Sequence, residues 1–361
     1  MTHSTDSWDI PSSWGPAQQA AREGGLLLVL GASDSGKSTL TAVLANVAVA
    51  AGRATAIVDS DVGQSSIGPP TCVSMARVLQ PIAALDQVRA EALDFVGTPS
   101  PVGHLLGFVA SAQAMVRAAR NTGPDTILVD TTGLIAGPLA RVLKGNKIRL
   151  LDPDIVIALQ LEEEVEHLLA PYRAYARPQI LRLAASRKAR SRSREQRAAN
   201  RQRAFASYFR GGRVIALDWK RLPMENTAWT AGEVLPGHLR AHAETVLGCE
   251  VLYAERGSDG HFLITAGRAD RLGLQELKDS YGASTRAVEV GLLQNLLVGL
   301  LGPSGETRAL GILEQVDFRA QRLEVFAPVP EVESICGIRL GAIQISRDGT
   351  QLAWLEPGDL G

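Results

Sequence analysis

The sequence predicts an α/β protein with a mostly parallel sheet flanked by helices, followed by a second, β-rich domain. In the first half of the chain, short apolar runs typical of buried strands alternate with Ala- and Leu-rich stretches of helical length. The later part instead holds short alternating runs separated by Gly, Asp and Asn. That pattern is typical of strands joined by turns.

Four strands and three helices are predicted in the α/β domain. The strands are Leu26–Gly31, 54–61, Asp125–Gly133 and Asp154–Leu161, and the helices are Ser38–Ala51, Leu105–Arg120 and Gly137–Leu150. The apolar stretch Val290–Gly302 is predicted to be a core helix, because it is too short to span a bilayer. We expect an N-terminal segment over residues 1–24, the α/β domain over 25–213 and the β-rich domain over 214–361.

Composition and charge favour an ordinary globular protein. The 361 residues are 45% hydrophobic and 21% charged, with a formal net charge of -1, so any attraction to nucleic acid must come from a local patch. The three cysteines are odd in number and far apart, which indicates neither a disulfide framework nor a CxxC metal site. We therefore expect a cytoplasmic protein, with no secretory leader and no membrane association.

A phosphate-binding loop follows the first strand. "GASDSGKS" fits GxxxxGK[ST] and lies between a predicted strand and a predicted helix, as this motif requires. Its glycines let backbone N–H groups turn toward phosphate oxygens, the lysine reaches the β- and γ-phosphates, and the serine hydroxyl binds Mg²⁺. The predicted nucleotide contacts are Gly31, Ser33, Asp34, Ser35, Gly36, Lys37, Ser38 and Thr39.

A second group of polar residues ends the next predicted strand, in "VDSDVGQ". Asp59 and Asp61 should enter the same crevice as the phosphate loop, because ligands sit at the carboxyl ends of parallel strands. One carboxylate, Asp59, can support the metal, while Asp61 can accept a proton from an attacking hydroxyl that Gln64 orients. Alternatively, Asp59 alone serves the metal and Asp61 caps a turn.

The residues also permit a nucleotide-dependent switch. "DTTG", from Asp130 to Gly133, resembles the DxxG of switch GTPases, but no guanine-reading NKxD is present, because Asp152 lies too far beyond Lys147. The same loop can equally end a strand beside the γ-phosphate of a kinase, where Thr131 would contact the substrate.

An arginine-rich stretch separates the two domains. Residues 173–213 are strongly basic and include Glu195 as their sole acid. A helix over Ser191–Phe209 places Arg197 and Arg201 four residues apart on one face. Such a helix could act as a lid, at about residues 186–210, whose guanidinium groups neutralise a transferring phosphoryl group. It could also follow a nucleic-acid backbone or simply be a solvated surface.

Together these segments resemble the polynucleotide 5′-hydroxyl kinase family. The family includes the kinase subunit of the eukaryotic pre-mRNA cleavage complex, the kinases of ribosomal RNA processing, and shorter prokaryotic relatives. The resemblance is carried by "GASDSGKST", "VDSDVGQSSIGPP", "FVGTPSPVGHL", "VDTTGLIAGPLARVLKGNKIRLLDPDIVIAL", "RSREQRAANRQRAFASYF" and "ALGILEQVDF".

The resemblance implies ATP- and Mg²⁺-dependent phosphorylation of the 5′-hydroxyl end of RNA or DNA. Lys37, Asp61, Arg197 and Arg201 then correspond to catalytic residues, and Ser38 and Asp59 to residues at the metal. Thr98 and Ser100 lie where the family has a clasp over the nucleotide. The adenine contacts stay open, with Trp14 of "IPSSW" as one candidate.

Two other functions compete with this interpretation. The protein could be an ATP-binding assembly factor of an RNA-processing complex without turnover, or a kinase for a small hydroxylated metabolite. The long basic stretch disfavours the small metabolite, because a small acceptor needs no extended basic surface. Protein partners cannot be named from the sequence.

Overall fold

The computed structural model describes residues 10–186, 192–229, 232–329 and 331–360. Contacts divide the chain into two compact units, Met1–Ala204 and Phe205–Gly361. None of the helices in these described ranges has the length and apolar character that a membrane span requires.

The first unit is built on a seven-stranded sheet. Its strands are β1 (Gly25–Gly31), β2 (Thr55–Ser60), β3 (Cys72–Val78), β4 (Ala92–Phe95), β5 (Thr126–Thr131), β6 (Ile155–Gln160) and β7 (Gln179–Ala184). They lie in the order β4-β3-β2-β5-β1-β6-β7. The strands β2, β5, β1, β6 and β7 are parallel to one another. Strands β3 and β4 add an antiparallel edge that the sequence did not predict.

Helices cover both faces of this sheet. They are α1 (Gly15–Glu23), α2 (Lys37–Ala50), α3 (Leu105–Asn121), α4 (Gly137–Leu151), the single turn α5 (Glu166–Leu169) and α6 (Arg194–Tyr208), which continues into the second unit. Alternate β1 residues point to opposite faces. Leu27 and Val29 pack in a core with α1 and α2, whereas Leu28 and Leu30 pack in a core with α3 and α4. Parallel strands buried on both faces explain the continuous apolar runs.

The second unit contains two sheets. The larger one runs β18-β17-β14-β15-β16-β8, with β9 beside β17, and the smaller one runs β10-β11-β12-β13. Their bounds are β8 (Arg213–Asp218), β9 (Met224–Glu225), β10 (Glu233–Val234), β11 (Val251–Gly257), β12 (Gly260–Thr265), β13 (Thr285–Glu289), β14 (Leu296–Leu301), β15 (Thr307–Asp317), β16 (Arg322–Ala327), β17 (Gly337–Ile345) and β18 (Gln351–Trp354). Two helices, α7 (Gly237–Leu247) and α8 (Arg271–Tyr281), pack with the smaller sheet. The predicted fold class, a mostly parallel sheet with helices followed by additional strands, is confirmed.

The predicted core helix at Val290–Gly302 is wrong. Only Val290–Leu292 form a helical turn, and Leu296–Leu301 form the buried strand β14 between β15 and β17. Asn295 precedes the strand with a left-handed φ of 60° and interrupts any helix. A short apolar run is equally compatible with a buried helix and a buried strand. Pairing with β15 and β17, which come later in the chain, makes this run a strand.

Candidate nucleotide site

The P-loop, residues 31–38, links β1 to α2 at the carboxyl edge of the parallel strands. Asp34 and Gly36 have left-handed φ values of 60° and 94°, which let the backbone curl. A Cβ on Gly31 would lie 2.5 Å from the Leu159 carbonyl oxygen and 2.7 Å from Ser35 Oγ, so no side chain fits there. Gly31 and Gly36 are therefore required by packing and by turn geometry respectively.

The P-loop side chains leave donors that suit a phosphate. Lys37 Nζ donates to the Ala32 carbonyl oxygen at 2.7 Å, across the loop. Ser35 Oγ is buried without a hydrogen-bond partner in the described part of the chain. A buried hydroxyl without a partner is costly, and a phosphate oxygen would satisfy it. Ser33 and Thr39 are exposed at the rim of the loop.

Two acidic strand ends lie beside the P-loop. In the parallel pair β2–β5, Asp59 is the register partner of Asp130, and each is only 1% exposed. Burial and the neighbouring Asp130 charge raise the pKa of Asp59 to about 7. Burial also raises the pKa of Asp130, although Lys37 and a hydrogen bond from Ser38 oppose this. Two carboxyls buried side by side form a site suited to cations.

Asp130, rather than Asp59, contacts the P-loop serine. Ser38 Oγ donates to Asp130 Oδ2 at 2.5 Å, the pair that holds Mg²⁺ in P-loop proteins. Sequence reasoning recognised "DTTG" as a strand end of this type but did not include Asp130 among the metal-site residues. The described residues contain no cluster of three or more His, Cys, Asp or Glu poised to hold a metal.

Asp59 instead shapes the loop that follows β2. Its Oδ2 accepts hydrogen bonds from Ser65 Oγ (3.1 Å), Ser66 N (2.6 Å) and Ile67 N (2.8 Å), and its Oδ1 accepts from Asp61 N (3.0 Å). Both carboxylate oxygens are thus engaged within the DVGQ loop, residues 61–64, and the segment after it.

Asp61 is half-buried and has one oxygen held and one oxygen open. Its Oδ1 accepts hydrogen bonds from Gly63 N at 3.2 Å and Gln64 N at 3.1 Å. Within the described chain, Oδ2 has no hydrogen-bond donor. This arrangement orients the carboxylate and leaves one oxygen to accept a proton, the geometry a general base needs.

The other predicted substrate contacts are divided between the surface and the interior. Gln64 Nε2 donates to the Gly63 carbonyl oxygen (2.6 Å), and half-buried Ser100 donates its backbone N–H to Thr98 Oγ1 (3.3 Å). Thr98 is 1% exposed and Thr131 is fully buried, with its hydroxyl donating to the Val29 carbonyl oxygen at 2.7 Å. The side chains of Thr98 and Thr131 therefore face inward rather than lining an open surface.

The clasp-like segment, which contains Thr98 and Ser100, lies against the DVGQ loop. A Cβ on Gly63 would lie 3.1 Å from the Pro99 carbonyl oxygen. Thr71 joins the two segments, because its N–H donates to the Val62 carbonyl oxygen (2.9 Å) and its own carbonyl oxygen accepts from Val96 N (2.9 Å). The structure thus brings together two segments separated by about thirty residues in sequence.

The start of α6 contacts the P-loop through Arg197. Its Nη2 lies 2.6 Å from Asp34 Oδ2, which also accepts the Arg192 N–H at 3.0 Å. Burial alone would raise the pKa of Asp34, but these two partners lower it below its usual value. The Arg197 carbonyl oxygen accepts from Gln64 Nε2 at 3.2 Å, so α6 joins the P-loop to the DVGQ loop.

Arg201, one turn further along α6, is partly buried, and burial lowers its pKa. No carboxylate of the described chain pairs with it. A desolvated guanidinium without an anionic partner is suited to an anionic ligand. Part of the predicted lid, residues 187–191, lies outside the described residues.

Three arginines at the start of the arginine-rich stretch pair with acids from earlier in the chain. Arg173 and Arg182 both pair with Glu166. The hydrogen bonds from Arg182 lower the pKa of Glu166 to about 2. Arg177 pairs with Asp154. The free basic surface is therefore smaller than the sequence suggests.

Trp14, the candidate adenine contact, belongs to the core. Its ring is 1% exposed and its Nε1 donates to the Ala184 carbonyl oxygen at 2.9 Å. It packs with α1, α2 and the sheet and has no open face for a base.

Gly133 packs closely against the P-loop, a contact that the sequence did not predict. A Cβ there would lie 2.5 Å from the backbone nitrogen of Ser33 and even closer to other Ser33 atoms. We expect Gly133→Ala to displace the P-loop and raise the Kd for ATP at least about tenfold, measured by calorimetric titration.

Gly145→Ala is the matched control for this prediction. Gly145 lies in α4. The atom nearest to a Cβ added there would be Tyr172 Oη at 3.9 Å, an ordinary van der Waals contact. Alanine there should leave ATP affinity unchanged and favour the helix by roughly 0.5–1 kcal/mol. Wild-type affinity in Gly133→Ala would show that the P-loop tolerates the displacement.

The fold and the geometry of the loop after β1 define a P-loop nucleotide-binding protein. The sequence model of the family described as "mRNA cleavage and polyadenylation factor CLP1 P-loop" matches residues 31–211. The chain belongs to this CLP1 P-loop family.

Relatives match over nearly the full length. The chain is 31% identical over 332 residues to the polyribonucleotide 5′-hydroxyl-kinase of Methanocaldococcus jannaschii, covering 91% of this chain and 90% of that protein. It is 29% identical over 330 residues to the enzyme of the same name from Pyrococcus furiosus, again covering 91% and 90%. A solved structure of a wild-type Clp1p–Pcf11p complex superposes with a TM-score of 0.57 at 13% identity, over 91% of this chain and 76% of that one. The structural likeness supports the fold.

Proposed function

We propose that the protein is an ATP-dependent polynucleotide 5′-hydroxyl kinase. The main support for this proposal is the geometry of Asp61, which lies next to a phosphate-binding loop. Two backbone N–H groups fix its Oδ1, while its Oδ2 has no donor in the described chain. A switch protein has no need of an oriented proton acceptor. Archaeal relatives that match over nine-tenths of the chain carry the name polyribonucleotide 5′-hydroxyl-kinase, so RNA is the acceptor we expect.

In the proposed reaction the acceptor 5′-hydroxyl attacks the γ-phosphorus of ATP. Asp61 accepts the hydroxyl proton, the new O–P bond forms, and the bond from the γ-phosphorus to the β,γ-bridging oxygen breaks to release ADP. P-loop N–H groups and Lys37 hold the phosphates, while Arg197 and Arg201 neutralise charge on the transferring group. Gln64 and Ser100 are proposed to contact the acceptor; for Thr98 and Thr131 we propose only backbone or indirect contributions.

Mg²⁺ would be held by Ser38 and Asp130, with Asp59 nearby. The 2.5 Å contact between Ser38 Oγ and Asp130 Oδ2 supports this assignment. When bound, the ion would neutralise charge on the phosphate oxygens. Asp59 contributes through its charge and through the loop that it shapes.

The deciding experiment is a transfer assay. Purified protein is incubated with γ-labelled ATP, Mg²⁺ and a short oligonucleotide bearing a 5′-hydroxyl, in RNA and DNA versions, beside a 5′-phosphorylated control. We expect label on the hydroxyl ends alone, with RNA preferred. ATP binding without any label transfer would favour the alternative, an ATP-binding assembly factor.

Salt dependence distinguishes a polymer acceptor from a small one. Because Arg173, Arg177, Arg182 and Arg197 already pair with acids, we expect only about three phosphate contacts from a single strand, and thus a slope near about −2 in log affinity against log salt. The slope is measured from oligonucleotide binding at several salt concentrations. A slope near zero would favour a small hydroxylated acceptor.

We propose a cytoplasmic location, because the three cysteines are few and lie far apart in the sequence.

A further inference from the structure

Helix α4 carries two fully buried lysines, Lys144 and Lys147. Lysine is rarely fully buried, because removing an ammonium group from water is costly unless it is well hydrogen-bonded. In the described chain neither ammonium group lies within ion-pair distance of a carboxylate. Both are held instead by hydroxyl and carbonyl oxygens at the ends of β2 and β5.

Lys147 holds the end of β2. Its Nζ donates to Ser60 Oγ and, at 3.4 Å, to the Ser60 carbonyl oxygen. Ser60 lies between Asp59 and Asp61, so the ammonium group fixes the backbone from which the proposed base extends.

Lys144 holds the end of β5. Its Nζ donates to Thr131 Oγ1 (2.9 Å), to the Thr132 carbonyl oxygen (2.5 Å) and to Thr132 Oγ1 (3.1 Å). The next residue, Gly133, is the one against which Ser33 of the P-loop packs. Lys144 thus supports the P-loop from behind.

The neighbouring charges act differently on the two lysines. Burial lowers the pKa of Lys147 to about 8, and the charges of Asp61, Asp59 and Asp130 limit this fall. Burial and the neighbouring Lys147 charge lower the pKa of Lys144 well below its ordinary value. A methionine would fill similar volume but would supply neither the hydrogen bonds nor the positive charge.

We infer that Lys147 and Lys144 are two separate positioning residues: Lys147 sets Asp61 for proton acceptance, and Lys144 sets the P-loop for ATP binding. This inference rests on the proposed kinase function. A purely structural role for α4 would instead make both substitutions lower stability and impair both steps together.

The test compares Lys147→Met, Lys144→Met and the control Leu143→Met, a conservative change at a buried α4 position. For each, Tm, the Kd for ATP and the single-turnover transfer rate at saturating ATP are measured. Lys147→Met should lower the transfer rate by about 100-fold, as a small misplacement of a reacting group can, with the Kd for ATP nearly unchanged. Lys144→Met should raise the Kd for ATP about tenfold. Leu143→Met should change neither.

The inference would be overturned if both lysine variants lost ATP affinity and transfer rate to the same extent. It would also be overturned if both variants kept the wild-type ATP affinity and transfer rate. If the lysine variants fail to fold, Ser60→Ala removes the hydroxyl acceptor of Lys147 and Thr132→Val removes one hydroxyl acceptor of Lys144, while both ammonium groups stay in place. Ser60→Ala should then slow transfer, and Thr132→Val should weaken ATP binding; the opposite pattern, or no change in either, contradicts the inference. If the wild-type protein transfers no phosphate, the proposed function fails, while the expected difference in ATP affinity between the two lysine variants still tests their roles.

Discussion

Replacing Asp61 with asparagine is expected to lower the rate of phosphate transfer by roughly 10²- to 10⁴-fold, the usual contribution of a general base. The amide oxygen of asparagine can still accept the Gly63 and Gln64 N–H groups that Oδ1 accepts now. The DVGQ loop should therefore keep its shape while the proton acceptor is lost. ATP affinity should be nearly unaffected, because the bonds that shape the P-loop do not involve Asp61.

The measurement is single-turnover transfer to a 5′-hydroxyl oligonucleotide, together with direct titration of ATP. Asp86→Asn is a suitable control, since Asp86 is exposed and far from the P-loop in sequence. Asp61→Asn with wild-type turnover would remove Asp61 as the base. A parallel loss of ATP binding would instead show that the loop had been disrupted.

Arg201→Ala should lower the transfer rate by roughly 10³-fold, toward the lower end of what an arginine finger contributes. Arg201 is partly desolvated and has no carboxylate partner in the described chain, so its guanidinium group is available to charge that develops during transfer. Arg197 differs, because it already pairs with Asp34 at 2.6 Å and must exchange that partner to reach a phosphate. Arg197→Ala should therefore reduce the rate, but by less than Arg201→Ala.

Arg203→Ala is the matched control on the same helix. Arg203 is exposed, contacts Asn200, and lies two residues from Arg201, on a different face of α6. It should leave the transfer rate within about threefold of wild type, as most surface substitutions leave function unaltered. Equal rates for Arg201→Ala and Arg203→Ala would exclude Arg201 from the reaction.

The P-loop and the acidic strand ends could be predicted because their signals are local. "GASDSGKS" contains the required glycines, lysine and serine within eight residues, and "VDSDVGQ" follows directly on an apolar run. The predicted site residues at the ends of β1, β2 and β5 lie at one edge of the sheet, as parallel pairing requires.

The charges could not be predicted in the same way. The arginine-rich stretch suggested a broad basic surface. In the structure, Asp34, Asp154 and Glu166, which come earlier in the chain, form ion pairs with arginines of this stretch. Similarly, Lys144 and Lys147 look like ordinary surface residues of a helix until β2 and β5 are placed beside them.

Local sequence patterns were sufficient to predict the fold class, the phosphate-binding loop and the acidic residue proposed as the base, because apolar periodicity and glycine spacing act over a few neighbouring residues. Four findings needed the folded chain: the contact of Asp130 with Ser38, the packing of Gly133 against Ser33, the strand within Val290–Gly302, and the lack of a carboxylate partner for Arg201 among the described residues. Each of those outcomes depends on contacts between residues that are distant in the chain, and burial changes the strength of such contacts in ways that composition cannot reveal.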